Sequence, residues 1–120
     1  MIKELATYEH AANEVQATEE SLLSTLSFSP PSSAPERGYA RTILIFDNDE
    51  PAGMALYFYN YSTWTSRPGI FLEDLFVRPQ HRRKGFGQRL LGELAGEVLR
   101  VQGARLDWNV LKWNEPSIKF

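Results

Sequence analysis

The chain has 120 residues, which is enough for one modest hydrophobic core and too few for two ordinary domains. Its composition, with 42% hydrophobic and 23% charged residues, is typical of a globular protein, and its formal charge of -2 gives no overall attraction to nucleic acid or anionic membranes. The absence of cysteine excludes disulfides and thiolate chemistry, and the lack of a signal peptide or of an apolar run of about 18 residues favours a soluble, cytoplasmic protein.

The N-terminal part of the chain predicts two helices and a loop. A helix with one buried face is predicted to begin at the first residue, because apolar residues recur at helical spacing at Ile2, Leu5, Ala6, Tyr8, Ala12 and Val15. Thr18, followed by Glu19 and Glu20, predicts the start of a second short helix that ends near Leu26, since carboxylates are favourable at the positive end of a helix. The proline-rich segment SFSPPSSAPERG, residues 27–38, predicts a loop within the domain.

The middle of the chain predicts an antiparallel hairpin. The segments ARTILIF and MALYFYNY, residues 40–46 and 54–61, are rich in β-branched and aromatic residues. The intervening segment DNDEPAG, residues 47–53, carries a dense turn signal. A third strand, IFLEDLFV, follows at residues 70–77.

The C-terminal part predicts a strand, loop, helix and strand in succession. Residues 86–102 place their apolar side chains on one helical face, with Gly103 available as the C-terminal cap. The segment ARLDWNVL, residues 104–111, predicts a fourth strand, and WNEPSIKF, residues 113–120, the start of another helix. This βαβ-like order favours parallel pairing of its two strands.

Three basic residues and two glycines stand between the third strand and the long helix, in VRPQHRRKGFGQRLL. One reading is a solvated turn. The other is an anion-binding loop, in which the unpaired amides of the helix start and Gly85 and Gly87 let a phosphate approach while Arg82, Arg83 and Lys84 supply charge. The dinucleotide fingerprint fails because Leu90 occupies its third glycine position, and the phosphate-loop motif fails because no Gly-Lys-Ser or Gly-Lys-Thr is present.

The segment RRKGFG, residues 82–87, resembles the Arg/Gln-x-x-Gly-x-Gly/Ala signature of the GNAT superfamily of acetyl-CoA-dependent N-acetyltransferases. The segments IKELATYEH, FLEDLFVRP and KWNEPSIKF resemble the spermidine/spermine N-acetyltransferases and their thialysine-acetylating relatives. The resemblance implies one N-acetyltransferase domain over residues 1–120. It also implies a mixed α/β fold, with a central, mostly antiparallel sheet and a parallel βαβ-like unit that binds acetyl-CoA.

The resemblance also implies which residues bind acetyl-CoA. Backbone groups of Leu75, Phe76 and Val77 would pair with the pantetheine arm as another strand, although these residues would equally serve as sheet core. The loop that would bind the pyrophosphate consists of Arg82, Arg83, Lys84, Gly85, Phe86, Gly87 and Gln88. Asn114 would contact coenzyme A, with Glu115, Pro116 and Ser117 nearby, and it can also act as a helix N-cap.

Acetyl transfer to an amine requires a neutral nitrogen, so a base must remove a proton from the cationic substrate. Glu73 is the candidate base, because it lies in an otherwise apolar strand and its family counterpart is placed to accept that proton. Strand alternation predicts that Asp74 faces the other side of the sheet, and the alternative is that one of the two carboxylates simply faces solvent.

The resemblance places the amine substrate, a small polyamine or thialysine-like molecule, against Tyr8, Glu9, Glu73, Asp107, Trp108 and Asn109. Each has an ordinary structural alternative, such as a solvated helix face for Glu9 or the core for Trp108. Two histidines do not suffice to argue a metal site, so metal-independent transfer is expected, with neither nucleic acid nor membrane as a partner. The family also implies a homodimer or a larger homo-oligomer.

Compared with the family pattern, the domain is expected to be incomplete at both ends, lacking the usual first and last strands. A tyrosine that protonates the departing thiolate usually follows the position of Phe120. Three functional readings therefore stay open. The first is an N-acetyltransferase whose activity is impaired by the truncation, the second is a remnant that binds acetyl-CoA and acts through dimerisation or a partner, and the third is a structural βαβ fragment that binds no ligand.

Overall fold

A computed structural model describes residues 1–28 and 38–120, so most of the predicted proline-rich loop lies outside the described residues. The helices are α1 (Ile2–Tyr8), α2 (Glu19–Thr25), α3 (Phe86–Arg100) and α4 (Glu115–Ile118), with short 3-10 helices at Ala12–Glu14 and Pro79–His81. The strands are β1 (Arg41–Asp47), β2 (Glu50–Ser62), β3 (Arg67–Val77) and β4 (Leu106–Trp108).

The four strands form one sheet in the order β1-β2-β3-β4. β1 pairs antiparallel with β2 and β2 antiparallel with β3, whereas β4 pairs parallel with β3 after the α3 crossover. The predicted mixed fold, with a mostly antiparallel sheet and one parallel unit, is confirmed.

The hairpin between β1 and β2 turns on two residues, not seven. Asn48 and Asp49 have φ angles of 48° and 68°, the left-handed values that a two-residue type I′ turn requires. β2 consequently begins at Glu50 and includes the segment that was predicted to be part of the turn. Gly53 fits there because a Cβ would lie 2.7 Å from the Phe76 carbonyl oxygen.

The first helix is shorter than its apolar pattern predicts. α1 ends at Tyr8, and His10, with a φ of 61°, turns the chain before the 3-10 helix. Ala12 is therefore exposed and does not extend the buried face. The second helix is confirmed: Thr18 caps α2, because its side chain accepts a hydrogen bond from the Ser21 amide at 3.1 Å.

The two faces of the sheet pack against different helices. One face packs against α3 through a core that consists of Ala55, Tyr57, Ile70, Leu72, Leu90 and Leu94. The other face packs against α1 through Leu5, Met54 and Phe76. We call these the α3 face and the α1 face.

The end of α3 differs from the prediction by one residue. Gln102, not Gly103, adopts the left-handed conformation, with a φ of 55°. The Gln102 amide donates to the Leu99 carbonyl and the Gly103 amide to the Val98 carbonyl, which is the Schellman motif. β4 is also shorter than predicted, because only three residues pair with β3.

Candidate active site

A β-bulge interrupts β3 at the predicted catalytic residue. Leu56 of β2 pairs with Asp74, but the next residue, Tyr57, pairs with Leu72, so Glu73 is an extra residue with no partner in the register. Such a bulge breaks the alternation of side chains along the strand.

The packing of β3 shows how the bulge reorients its side chains. The residues that pack on the α3 face are Ile70 and Leu72 before the bulge and Leu75 and Val77 after it, while Phe76 packs on the α1 face. The alternation therefore shifts by one residue between Leu72 and Leu75. Glu73 and Asp74 both lie on the α1 face, so the prediction that Asp74 faces the other side is wrong.

The two neighbouring carboxylates have different environments. Glu73 is exposed, whereas Asp74 is half-buried. Burial, followed by the negative charges of Glu73 and Glu9, raises the pKa of Asp74 above its ordinary value. Glu9, the C-cap of α1, is thus a third carboxylate whose charge acts on this part of β3.

The predicted substrate residues of β4 do not all share this face. Asp107 is the register partner of Phe71 and lies on the α1 face, where its Oδ2 accepts from Asn60 Nδ2 at 3.0 Å and pairs with Arg105 Nε at 2.8 Å. Trp108 is the partner of Leu72, so it lies on the α3 face with 52% of its surface exposed. Asn109 is exposed just beyond the strand. The geometry therefore groups Asp107, and not Trp108, with Glu73.

Beyond its short pairing with β4, the far edge of β3 faces no other described strand, and we call it the open edge of β3. Only Ile70–Leu72 pair with β4, so the predicted pantetheine-binding residues Leu75, Phe76 and Val77 pair with a described strand on the β2 side alone. The Val77 carbonyl oxygen accepts a hydrogen bond from Arg82 Nε at 2.9 Å. An extended ligand could add along this edge as another strand.

The loop after β3 exposes the start of α3. Arg83 and Gly85 both have left-handed φ angles, 62° and 78°, and Gly85 is the N-cap. No side chain of the described residues caps the helix, and its first turn contains no acidic residue. The amides of Phe86, Gly87 and Gln88 are thus available to an anion, next to the exposed side chain of Arg83.

Side chains of this loop are anchored to the β1–β2 turn. The buried His81 places Nδ1 2.9 Å from Asp47 Oδ2, and Lys84 Nζ lies 2.8 Å from the same oxygen. Hydrogen bonds from Lys84 and His81 hold the pKa of Asp47 below its ordinary value. Lys84 is therefore already engaged by a carboxylate, which leaves Arg83 as the more available cation for a phosphate.

Gly87 lies against the aromatic ring of Phe120. Among the atoms of residues 1–28 and 38–120, Phe120 Cζ would be the nearest to a Cβ at Gly87, at 2.9 Å, whereas a Cβ at Gly85 would meet none within 4 Å. The left-handed backbone thus explains why position 85 is glycine, and the contact with the Phe120 ring explains why position 87 is glycine.

Asn114 connects the predicted acetyl-CoA site with Tyr8 of the predicted amine site. It is buried, and its Oδ1 accepts from the Tyr8 hydroxyl at 3.1 Å and from the Ser117 amide at 3.3 Å, so it is the N-cap of α4. Pro116 lies in the first turn of α4. Glu115, at the first position of that helix, pairs with Lys119 at 2.9 Å.

Tyr8 is surrounded by further side chains of the site. Trp113 packs at 6.0 Å between ring centroids, and the Arg82 guanidinium lies 5.1 Å above the Tyr8 ring and 5.9 Å above that of Phe76. Arg82 therefore lies between the end of α1 and the open edge of β3, although the sequence placed it with the pyrophosphate loop.

Arg78 fixes α1 above the sheet, a role that the sequence pattern missed. Its Nε and Nη2 donate to the two carboxylate oxygens of Glu4, both at 3.0 Å, and its Nη1 donates to the Pro51 carbonyl at 2.9 Å. Bidentate pairs of this kind fix the relative orientation of the two side chains as well as their distance. The pair joins residues 74 positions apart, so no local pattern could reveal it.

Within residues 1–28 and 38–120, no group of three or more His, Asp or Glu side chains is arranged to hold a metal ion. None of the helices in those ranges has the length and apolar composition needed to cross a bilayer.

The chain is similar to several known proteins in sequence and in fold. The model of the acetyltransferase (GNAT) family matches residues 5–120. A thialysine N-epsilon-acetyltransferase of Caenorhabditis elegans is 39% identical over 119 residues, which is 98% of this chain and 68% of that protein. An L-ornithine N5-acetyltransferase of Arabidopsis thaliana is 39% identical over 69 residues, or 58% of this chain and 30% of that protein. An integron cassette protein from the mobile metagenome of Vibrio cholerae has a TM-score of 0.72 at 26% identity, covering 98% of this chain and 69% of its own.

Proposed function

The chain belongs to the acetyltransferase (GNAT) family, and we propose that it transfers an acetyl group from acetyl-CoA to a primary amine of a small polyamine or thialysine-like substrate. Membership of the family makes the protein an acyltransferase. Acetyl-CoA as the donor and the class of amine are the parts that we propose. The thialysine and ornithine acetyltransferases to which the chain is similar both take their names from amino acids with a second amine.

The observation that carries the proposal is that the open edge of β3 leads directly to the uncapped start of α3. The donor would extend along Leu75, Phe76 and Val77, and its pyrophosphate would lie on the amides of Phe86, Gly87 and Gln88 beside Arg83. This path ends near the bulge at Glu73, so the residues that would bind the donor and the candidate base lie on one strand.

In this proposal, Glu73 accepts a proton from the substrate ammonium group. The neutral nitrogen then attacks the thioester carbonyl carbon, the carbon–sulfur bond breaks, and the leaving thiolate takes up the proton that the nitrogen loses as it becomes an amide. Glu73 suits the role because its exposed side chain can reach a substrate on the α1 face.

The test is an assay of free coenzyme A released from acetyl-CoA over a panel of amines that includes thialysine, ornithine and spermidine. We expect turnover of at least one of them, and a decrease in kcat of about 100- to 10,000-fold for Glu73→Gln. Glu93→Gln is the matched control, because Glu93 is an exposed carboxylate on α3. Binding of acetyl-CoA without turnover of any amine would instead favour the binding-remnant reading.

We also propose that the chain associates with a second copy of itself. The short strand β4 pairs with β3 alone among the described strands, and the segment that follows it exposes Val110, Leu111 and Trp113. An unpaired strand edge beside apolar side chains favours association. Static light scattering should give a mass above the 13.7 kDa of one chain, and a mass of 13.7 kDa at high concentration would contradict the proposal.

A further inference from the structure

Two phenylalanine rings stack against each other on the α1 face of the sheet. Phe58 of β2 is the register partner of Phe71 of β3, and their ring centroids lie 5.2 Å apart with an interplanar angle of 27°. Both side chains are half-buried. Within the described residues, neither ring belongs to the core that packs on α3 or to the core that packs on α1. The two rings therefore form a flat apolar surface that the packing of the helices does not account for.

This aromatic surface lies next to the candidate base. Glu73 is the extra residue of the bulge in β3 and lies on the same face as Phe71, so the two positions are at most about 7 Å apart along the strand. In the proposed function, the donor occupies the strand beyond Glu73, at Leu75–Val77. The carbon atoms of an amine bound at Glu73 would therefore extend in the other direction, over the rings.

An aromatic surface in this position discriminates between amines by the group that follows the reacting nitrogen. A hydroxyl or ether oxygen placed on the rings would lose its hydrogen bonds to water and gain none. An aryl group is stabilised by leaving water, and its stacked or edge-to-face contact with another ring adds about 2- to 10-fold in affinity. The surface is therefore best suited to an aryl group.

We propose that the stacked pair of Phe58 and Phe71 is a subsite for an aryl group, and that arylalkylamines are a class of acetyl acceptor for this enzyme. This inference rests on the proposed function, in which Glu73 accepts the proton of the reacting amine. The transfer itself is the same: nitrogen bonds to the acetyl carbon, the carbon–sulfur bond breaks, and coenzyme A leaves as the thiol with the proton that the nitrogen loses. Phe58 and Phe71 are specificity-determining residues, because they contact the body of the amine and not its nitrogen.

The experiment compares 2-phenylethylamine with 2-methoxyethylamine as acetyl acceptors for the wild-type protein and for Phe71→Leu, which stays apolar but loses the ring. We expect the substitution to raise KM for 2-phenylethylamine about 3- to 10-fold with kcat nearly unchanged, because the ring contact is the same before and during the reaction. KM for 2-methoxyethylamine should change less than about twofold. Phe71→Tyr keeps a ring and should retain the wild-type preference. Equal changes in KM for the two amines, no change in either, or turnover of other amines without turnover of 2-phenylethylamine would overturn the proposal.

Phe46→Leu is the matched control, because Phe46 is an exposed phenylalanine of β1, which β2 separates from β3. It should leave the ratio of the two KM values unchanged. Failure of the proposed function would appear differently, as no turnover of any amine, including thialysine, ornithine and spermidine. In that case, calorimetric titration of 2-phenylethylamine in the presence of coenzyme A tests the rings independently of turnover. Weaker binding to Phe71→Leu would support the aryl subsite, and equal affinities or no binding to the wild-type protein would refute it.

Discussion

The Tyr8 hydroxyl donates a hydrogen bond to Asn114 Oδ1 across 3.1 Å, and this bond connects α1 to the N-cap of α4. The two residues are 106 positions apart. The family resemblance implies that Tyr8 contacts the amine and that Asn114 contacts coenzyme A. The hydrogen bond would therefore couple the two binding sites through a contact within the protein.

We predict that Tyr8→Phe lowers the free energy of unfolding by about 1 kcal/mol, the usual contribution of one such hydrogen bond. Asn114→Ala should cost more, about 1 to 3 kcal/mol, because it also removes the N-cap of α4 and leaves the hydroxyl without its partner. The double variant should lose less than the sum of the two. Urea denaturation measures all three, with Tyr39→Phe as control because Tyr39 is 86% exposed. Additive losses would show that the two residues are not coupled.

A second prediction separates two roles that are open to Gly87: to make room for the Phe120 ring, and to let the donor approach the backbone. Alanine stabilises a helix relative to glycine by about 0.5 to 1 kcal/mol, but here its Cβ would press on the Phe120 ring. Gly87→Ala should therefore stabilise the protein more in a Phe120→Ala background than in the wild type. Urea denaturation of the four proteins gives the comparison, and equal effects in both backgrounds would contradict the packing role.

The affinity for acetyl-CoA, measured on the same four proteins, shows whether the donor itself requires a glycine at position 87. If Gly87 serves only to accommodate Phe120, the affinity for acetyl-CoA should fall on Gly87→Ala in the wild-type background and recover in the Phe120→Ala background. A loss of affinity in both backgrounds would show instead that the ligand itself needs a glycine at this position, as the sequence suggested.

A third prediction concerns stability and pH at Asp74. Because the folded pKa lies above the ordinary value of 3.8, ionised Asp74 opposes folding, and its penalty grows as pH rises above 3.8 and is complete above the folded pKa. Asp74→Asn should therefore be more stable than the wild type at neutral pH, with the difference narrowing as pH falls toward 3.8. Urea midpoints measured across this range provide the check. A less stable variant at neutral pH would indicate that Asp74 has a stabilising partner.

The strands, the long helix and the glycine loop could be predicted because each leaves a local pattern in the sequence. The bulge at Glu73 could not, since it exists only in the register between β3 and β2, and no residue type marks it. The same holds for the Arg78–Glu4 pair, which depends on how α1 packs. The end of α3 could be predicted only to within one residue. Glycine is the usual left-handed cap, but here Gln102 is left-handed, and glycine occupies position 103 because a Cβ there would lie 3.0 Å from Val98 Cγ1.

The last prediction is that Asp47 positions the loop that precedes α3. Asp47 Oδ2 contacts both His81 and Lys84, and it lies on β1, remote in sequence from the loop that it holds. Asp47→Asn keeps the shape but removes the charge, so both contacts weaken and Lys84 is released. The loop should then be less well ordered for binding phosphate, and we expect the Kd for acetyl-CoA to rise about 3- to 30-fold, a change consistent with losing one charge-assisted contact.

The pH dependence of this contact has the opposite sign to that of Asp74. Because Lys84 and His81 lower the folded pKa of Asp47, its stabilising contribution is complete above the ordinary value of 3.8 and is lost as pH falls through the folded pKa. Asp47→Asn should therefore be less stable than the wild type at neutral pH, with the difference vanishing in acid. Asp49→Asn, two residues along the same turn, is the control for loss of charge alone. An unchanged Kd for acetyl-CoA in a destabilised Asp47→Asn variant would show that the contact stabilises the fold without shaping the loop. A Kd that rises in Asp47→Asn but not in Asp49→Asn would show that Asp47 positions the loop.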